Sequence, residues 1–134
     1  MIGKMDQHIM DSFLETLPIE FSILDSEDKV LAWNKHDTRI FKRHEAVIGR
    51  DVRRCHPSHS LDKVETIIKE MKSGERDKAR FWIDLEVNGK EGPQKILIEY
   101  YALRDGNGKY LGCMEVSQNI TEIQKLTGSK RLLD

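Results

Sequence analysis

The chain has no excess of charge of either sign: 22 Lys and Arg stand against 23 Asp and Glu, a formal net charge of −1. Without a basic surplus to neutralise a phosphate backbone, nucleic-acid binding is not expected. No apolar run approaches about 18 residues, so no membrane-spanning helix is expected. The opening Met1-Ile2-Gly3-Lys4-Met5-Asp6 carries no apolar signal core. A cytoplasmic protein without a membrane partner is the expectation. Cysteine is scarce: Cys55 and Cys113 lie far apart and form no CxxC pair, so no structural disulfide is expected in a reducing compartment. Internal repeats, low-complexity tracts and the G-x-S-x-G, P-loop and paired-carboxylate motifs are all missing. Cys55 and His56 are adjacent, and neighbours seldom bring a nucleophile and a base face to face. No catalytic residue is assigned, and an enzyme is not expected.

What is present is an ordered series of short elements. The length of 134 residues fits one domain with helical extensions. Met5, Ile9, Phe13 and Leu17 recur every four residues with Met10 and Leu14 beside them, which predicts an amphipathic helix over 1–17 stopped by Pro18. Ile19 to Leu24 and Val30 to Trp33 read as a strand hairpin around Asp25-Ser26-Glu27-Asp28. Asn34 is placed to cap a short helix through Ile40 and Phe41. Ala46-Val47-Ile48-Gly49 reads as a helical turn, and Ser60 as the N-cap of a longer helix. In that helix Leu61, Val64, Ile67, Ile68 and Met71 form the apolar stripe and Gly74 the exit.

The last third alternates with a period of two. Phe81, Ile83, Leu85 and Val87 interleave with Trp82, Asp84 and Glu86, and Ile96, Ile98, Tyr100 and Ala102 with Leu97, Glu99, Tyr101 and Leu103. Asp105-Gly106-Asn107-Gly108 is a tight-turn signal before a final strand from Tyr110 to Gln118.

In this order the elements resemble a PAS (Per-Arnt-Sim) domain over roughly residues 17–126. The likeness is carried by Ile23-Leu24-Asp25 with Val30-Leu31-Ala32-Trp33-Asn34, by Val47-Ile48-Gly49-Arg50, by Tyr110-Leu111-Gly112-Cys113-Met114-Glu115-Val116 and by Asn119-Ile120-Thr121-Glu122. Asn119 stands where the family usually has an aspartate, keeping the hydrogen-bonding geometry without the charge. The Cys55-His56-Pro57 segment, Phe81-Trp82-Ile83 and Lys130-Arg131-Leu132-Leu133-Asp134 resemble a prokaryotic subfamily often appended to hemerythrin-like domains. The resemblance implies an α+β fold: a five-stranded antiparallel sheet of order 2-1-5-4-3 with helices on one face. It divides the chain into an N-terminal flanking helix (1–17), a PAS core (18–119) and a C-terminal signalling helix (120–134). The implied function is sensory, with a small molecule or cofactor in the cavity and its state relayed through the C-terminal helix of a homodimer. The alternative is a ligand-free dimerisation module.

Cys55, His56 and His59 are the one cluster of strong ligand types. Three readings stand for it: ordinary loop packing, a haem held through His56 or His59, and a bare metal on the same histidines. Trp33, Phe41, Trp82 and Tyr100 are candidates to line a ligand pocket, with core filling as the bland alternative. Alternation separates Tyr100 from Tyr101, so only one of them faces the cavity. Met5, Ile9 and Phe13, together with Asn119, Ile120, Thr121 and Ile123, are the candidate dimer and signalling residues. Neither the cofactor nor the ligand can be named from sequence.

Overall fold

The computed structural model describes residues 1–35 and 39–133, apart from the side chain of His59. Helix α1 (Gln7–Thr16) is capped by Asp6, whose carboxylate accepts from the Ile9 amide at 2.9 Å. It ends at Leu17, which has the extended ψ of 134° that Pro18 imposes on its predecessor. Strands β1 (Glu20–Asp25) and β2 (Val30–Trp33) form the opening hairpin. Two 3-10 turns follow at Glu45–Val47 and Val52–Arg54, then helix α2 (Ser58–Ser73). Strands β3 (Lys78–Glu86), β4 (Pro93–Arg104) and β5 (Tyr110–Asn119) complete one antiparallel sheet of order β2-β1-β5-β4-β3, as the resemblance implied.

The ladder fixes which residues share a face. Ala79, Phe81 and Ile83 lie opposite Tyr100, Ile98 and Ile96, which in turn meet Glu115, Ser117 and Asn119 of β5. Val64, Ile68 and Met71 of α2 join Ile96, Ile98, Tyr100 and Cys113 of this inner face in one buried cluster. Met71 Sδ stands 3.7 Å from Cys113 Sγ. Each of these apolar side chains contributes about 1.5–3 kcal/mol on burial, enough to hold the amphipathic helix on the sheet. At its far end Lys72 and Arg53 both reach the buried Asp28 carboxylate of the β1–β2 turn, at 2.8 and 3.2 Å. The left-handed Gly74 closes α2, as its spacing predicted.

Three expectations are corrected. Ser60 is not the N-cap, because α2 begins at Ser58 after Pro57, and Ser60 Oγ donates back to Pro57 O at 3.1 Å. The helix expected from Asn34 falls partly on residues 36–38, outside the described residues, and residues 39–41 are not helical. Asn34 has a different task, taken up below. The C-terminal helix expected over 120–134 is a single 3-10 turn at Ile123–Lys125, after which Leu126 is extended and Gly128 adopts a positive φ of 62°. The seam of Ile123 and Leu126 is exposed, so its apolar side chains gain no burial with which to hold a helix.

Candidate functional site

Beside its apolar cluster the inner face carries a column of polar residues. Glu20, Ser22, Glu115 and Ser117 occupy inner-facing positions of β1 and β5. Tyr100 donates its hydroxyl to Glu115 Oε2 at 2.7 Å, and Arg43 reaches Glu115 Oε1 at 3.3 Å and Ser22 Oγ at 2.8 Å. His56 is pinned by its ring Nδ1, 3.1 Å from Val52 O, while Nε2 lies 3.4 Å from the Tyr100 oxygen. Cys55, His56, Tyr100, Cys113 and Glu115 line a small cavity of about 10 Å³, room for about one water molecule. Three of the expected site residues, Cys55, His56 and Tyr100, are therefore brought together. They are brought together around a space their own side chains fill.

Beside His56 this geometry leaves no room for a haem. Both ring nitrogens of His56 already face partners, and the adjoining hollow is far smaller than a macrocycle. His59 lies on the first turn of α2, and its side chain falls outside the described residues. Among the described residues no group of three or more His, Cys, Asp or Glu side chains is arranged to hold a metal. Trp33 and Phe41 pack against the core cluster. Trp82 is 62% exposed and shares its face with Leu97 and not with Tyr100, so its expected place in the pocket lining is corrected.

Burial pushes the Cys113 thiol up to about 12 from 9.0, with the Glu115 carboxylate adding to the shift. Burial, reinforced by Glu115, also raises the Tyr100 hydroxyl well above its ordinary 10.0. Raised acids stabilise the fold fully below their unfolded values, and that contribution fades as pH climbs to the folded ones. The melting temperature is thus expected to fall between about pH 9 and 12. Cys113→Ala should flatten that alkaline limb, which a pH series of thermal melts would show; an unchanged limb contradicts the assignment.

A second and larger space opens at the end of the same face. A cleft of about 830 Å³ is bounded by Arg39, Ile40 and Lys42, by the β3–β4 hairpin at Glu86–Lys90, and by Ser117, Gln118, Asn119 and Glu122 at the end of β5. Its size falls among ordinary ligand pockets. Glu20 anchors one wall: its carboxylate accepts from the amides of Ile40 and Phe41 and stands 3.9 Å from Arg39 Nε. The other wall is a neutral latch. Asn119 Nδ2 donates to Gln94 Oε1 at 3.0 Å and its Oδ1 accepts from the Thr121 amide at 3.0 Å. Thr121 Oγ1 accepts from Lys95 N at 2.8 Å, and Ile120 N donates to Lys95 O at 2.8 Å. Of the candidate site residues named from the sequence, Asn119 alone lines this cleft. Glu20, Arg39, Lys42 and Gln94 were missed, although a glutamate on the inner parity of β1 was a readable signal.

The candidate dimer stripe is split. Met5, Met10, Leu14 and Leu17 are half-buried, while Ile9 and Phe13 are exposed. Among the described residues no helix is long and apolar enough to cross a membrane.

The profile of a family described as "PAS domain" matches residues 10–121. Among solved structures, the C-terminal domain of a Streptococcus mutans protein superposes with a TM-score of 0.84 at 28% identity, covering 95% of this chain and 94% of that one. The PAS domain of Bordetella pertussis BvgS gives 0.63 at 18% identity, covering 88% of each chain. VqmA bound to DPO gives 0.61 at 16% identity, covering 91% of this chain and 65% of that one. The last two attest the fold alone. No curated protein matches the chain in sequence.

Proposed function

The chain belongs to the PAS-domain family, whose members commonly serve as sensory or signalling modules, and from that premise we propose that it senses a small polar molecule held in the open cleft. One observation carries this reading: the cleft is lined at once by the loop side (Arg39, Lys42, Lys90) and by Asn119 and Glu122 of the exit from the sheet. An occupant bridging the two walls changes the hydrogen bonds of the Asn119–Thr121 latch directly. The output is therefore assigned to this junction and not to a preformed C-terminal helix. Lining groups of both charge signs, Lys42 and Lys90 as well as Glu86 and Glu122, suit a ligand carrying both signs or several hydrogen-bonding groups. VqmA, part of which shares this fold at 16% identity, has been seen bound to DPO. A ligand shifts the junction only by the difference in its affinity for the two latch states.

The ligand-free dimerisation module is the second reading, favoured by the nearly filled inner cavity. Native mass spectrometry of protein purified from its host separates the two. The sensory reading expects a retained small molecule that is lost from Val87→Trp, in which an indole narrows the cleft. A bare chain mass in both proteins, with no hit in a thermal-shift screen of small polar compounds, favours the ligand-free module.

A further inference from the structure

Among the described residues strand β3 is an edge of the sheet, with β4 its one ladder partner. Unpaired edges are usually short or blunted, because they offer a row of free amides and carbonyls to another chain. This one runs for nine residues and presents Phe81, Trp82 and Ile83 partly or largely to solvent.

The direction of its backbone groups is fixed by its neighbour. Ala102 N donates to Asp77 O at 2.9 Å, so with a period of two the odd residues turn their amides and carbonyls to β4. Lys78, Arg80, Trp82, Asp84 and Glu86 turn theirs to the open edge. The sequence of that edge, Lys78-Ala79-Arg80-Phe81-Trp82-Ile83-Asp84-Leu85-Glu86, is basic before the tryptophan and acidic after it.

We propose that β3 is a self-complementary interface that pairs antiparallel with β3 of a second copy about a two-fold axis at Trp82. In this register Lys78 meets Glu86, Arg80 meets Asp84, and the two Trp82 rings meet at the axis, all on the outer face. On the inner face Phe81 meets Ile83 and Ala79 meets Leu85. Every residue that turns its backbone outward meets another that does so, giving about ten inter-chain hydrogen bonds in one continuous sheet. Shifting the axis to Arg80 or Asp84 sets Arg80 against Arg80 or Asp84 against Asp84. The charge order therefore selects Trp82. Arg80 already pairs with Glu99 at 2.8 Å and Asp84 with Lys95 at 2.5 Å. Their side chains stay 53% and 64% exposed, so the inter-chain pairs extend existing networks. The surface touches the cleft at Glu86 alone and lies on a different element from the α1 stripe, and it does not depend on the sensory reading. A ribbon of nine residues is about 30 Å long. It buries less than the roughly 800 Å² per partner of a standard interface, so the dimer is weak and loosens as salt screens its charges.

Sedimentation equilibrium of the chain between about 10 µM and 1 mM tests this, in the range a small interface commands. Lys78→Glu and Glu86→Lys are exposed reversals, each setting like charges opposite in its own homodimer. Each is expected to weaken self-association at least tenfold. Mixed in equal amounts, the two variants place opposite charges at both positions and should associate again. Trp82→Pro, whose missing amide faces the open edge and not β4, should leave the chain folded and monomeric. A wild-type chain that stays monomeric, single reversals that dimerise as the wild type does, or a mixture that stays apart would each overturn the proposal.

Discussion

Replacing Gly112 by alanine is expected to cost about 3 kcal/mol or more, overpacking of an unusually severe kind. A Cβ built on Gly112 falls 2.2 Å from the carbonyl oxygen of Leu24, and its φ of +157° is one that side-chain-bearing residues rarely adopt. The obstacle is the backbone of β1 at Leu24 and Asp25. Gly112 faces Asp25 across β1 and Leu103 across β4, so neither neighbour can yield without breaking its own ladder. Relief requires β1 to separate from β5, which also removes the hairpin and the Glu20 wall of the cleft. Urea unfolding gives the measurement. A loss below about 0.5 kcal/mol, the ordinary range for a surface substitution, would mean the strands can part at this point without harm.

Asn34→Ala is expected to be nearly as damaging, at roughly 3 kcal/mol, because it leaves several polar groups buried without partners. Asn34 is only 1% exposed. Its Oδ1 accepts from the Phe21 amide at 3.0 Å and from Arg39 at 3.1 Å, and its Nδ2 donates to Ile19 O at 2.9 Å. A longer bond at 3.4 Å reaches Leu14 O of α1. One amide thus joins α1, β1 and the segment that walls the cleft. Asn34→Asp keeps the two acceptor contacts and loses the donor, so its penalty should fall between alanine and wild type. Equal stability of the alanine variant would show that these bonds are made equally well by water.

The same residue shows where the sequence was and was not readable. The short polar side chain of Asn34 suits a helix cap, but its partners lie 13, 15 and 20 residues back along the chain, beyond local pattern. Local alternation did reveal β3, β4 and β5, and the spacing of Leu61, Val64, Ile68 and Met71 revealed α2, because those signals arise within one element. Alternation assigns residues to two faces without saying which is inner. That choice comes from cross-strand register, and it carried Trp82 to the side of Leu97 and away from Tyr100. Cys55, His56 and Tyr100, named from separate stretches of the sequence, do stand together in the fold. The volume left between them depends on how Arg43 and Glu115 fold inward, which no spacing expresses. The cleft was hidden for a related reason: its walls come from four separated stretches, and what marks them is charge on inner parity.

The central claim is that the cleft and the exit from the sheet are one coupled unit. Amide hydrogen exchange at Ile120 and Thr121, whose N–H groups bond to Lys95 O and Asn119 Oδ1, tests it most directly when compared with and without a small polar compound that binds the cleft. A change of tenfold or more is expected at both amides, abolished in Val87→Trp. Exchange that is the same in the empty and the filled protein would contradict it.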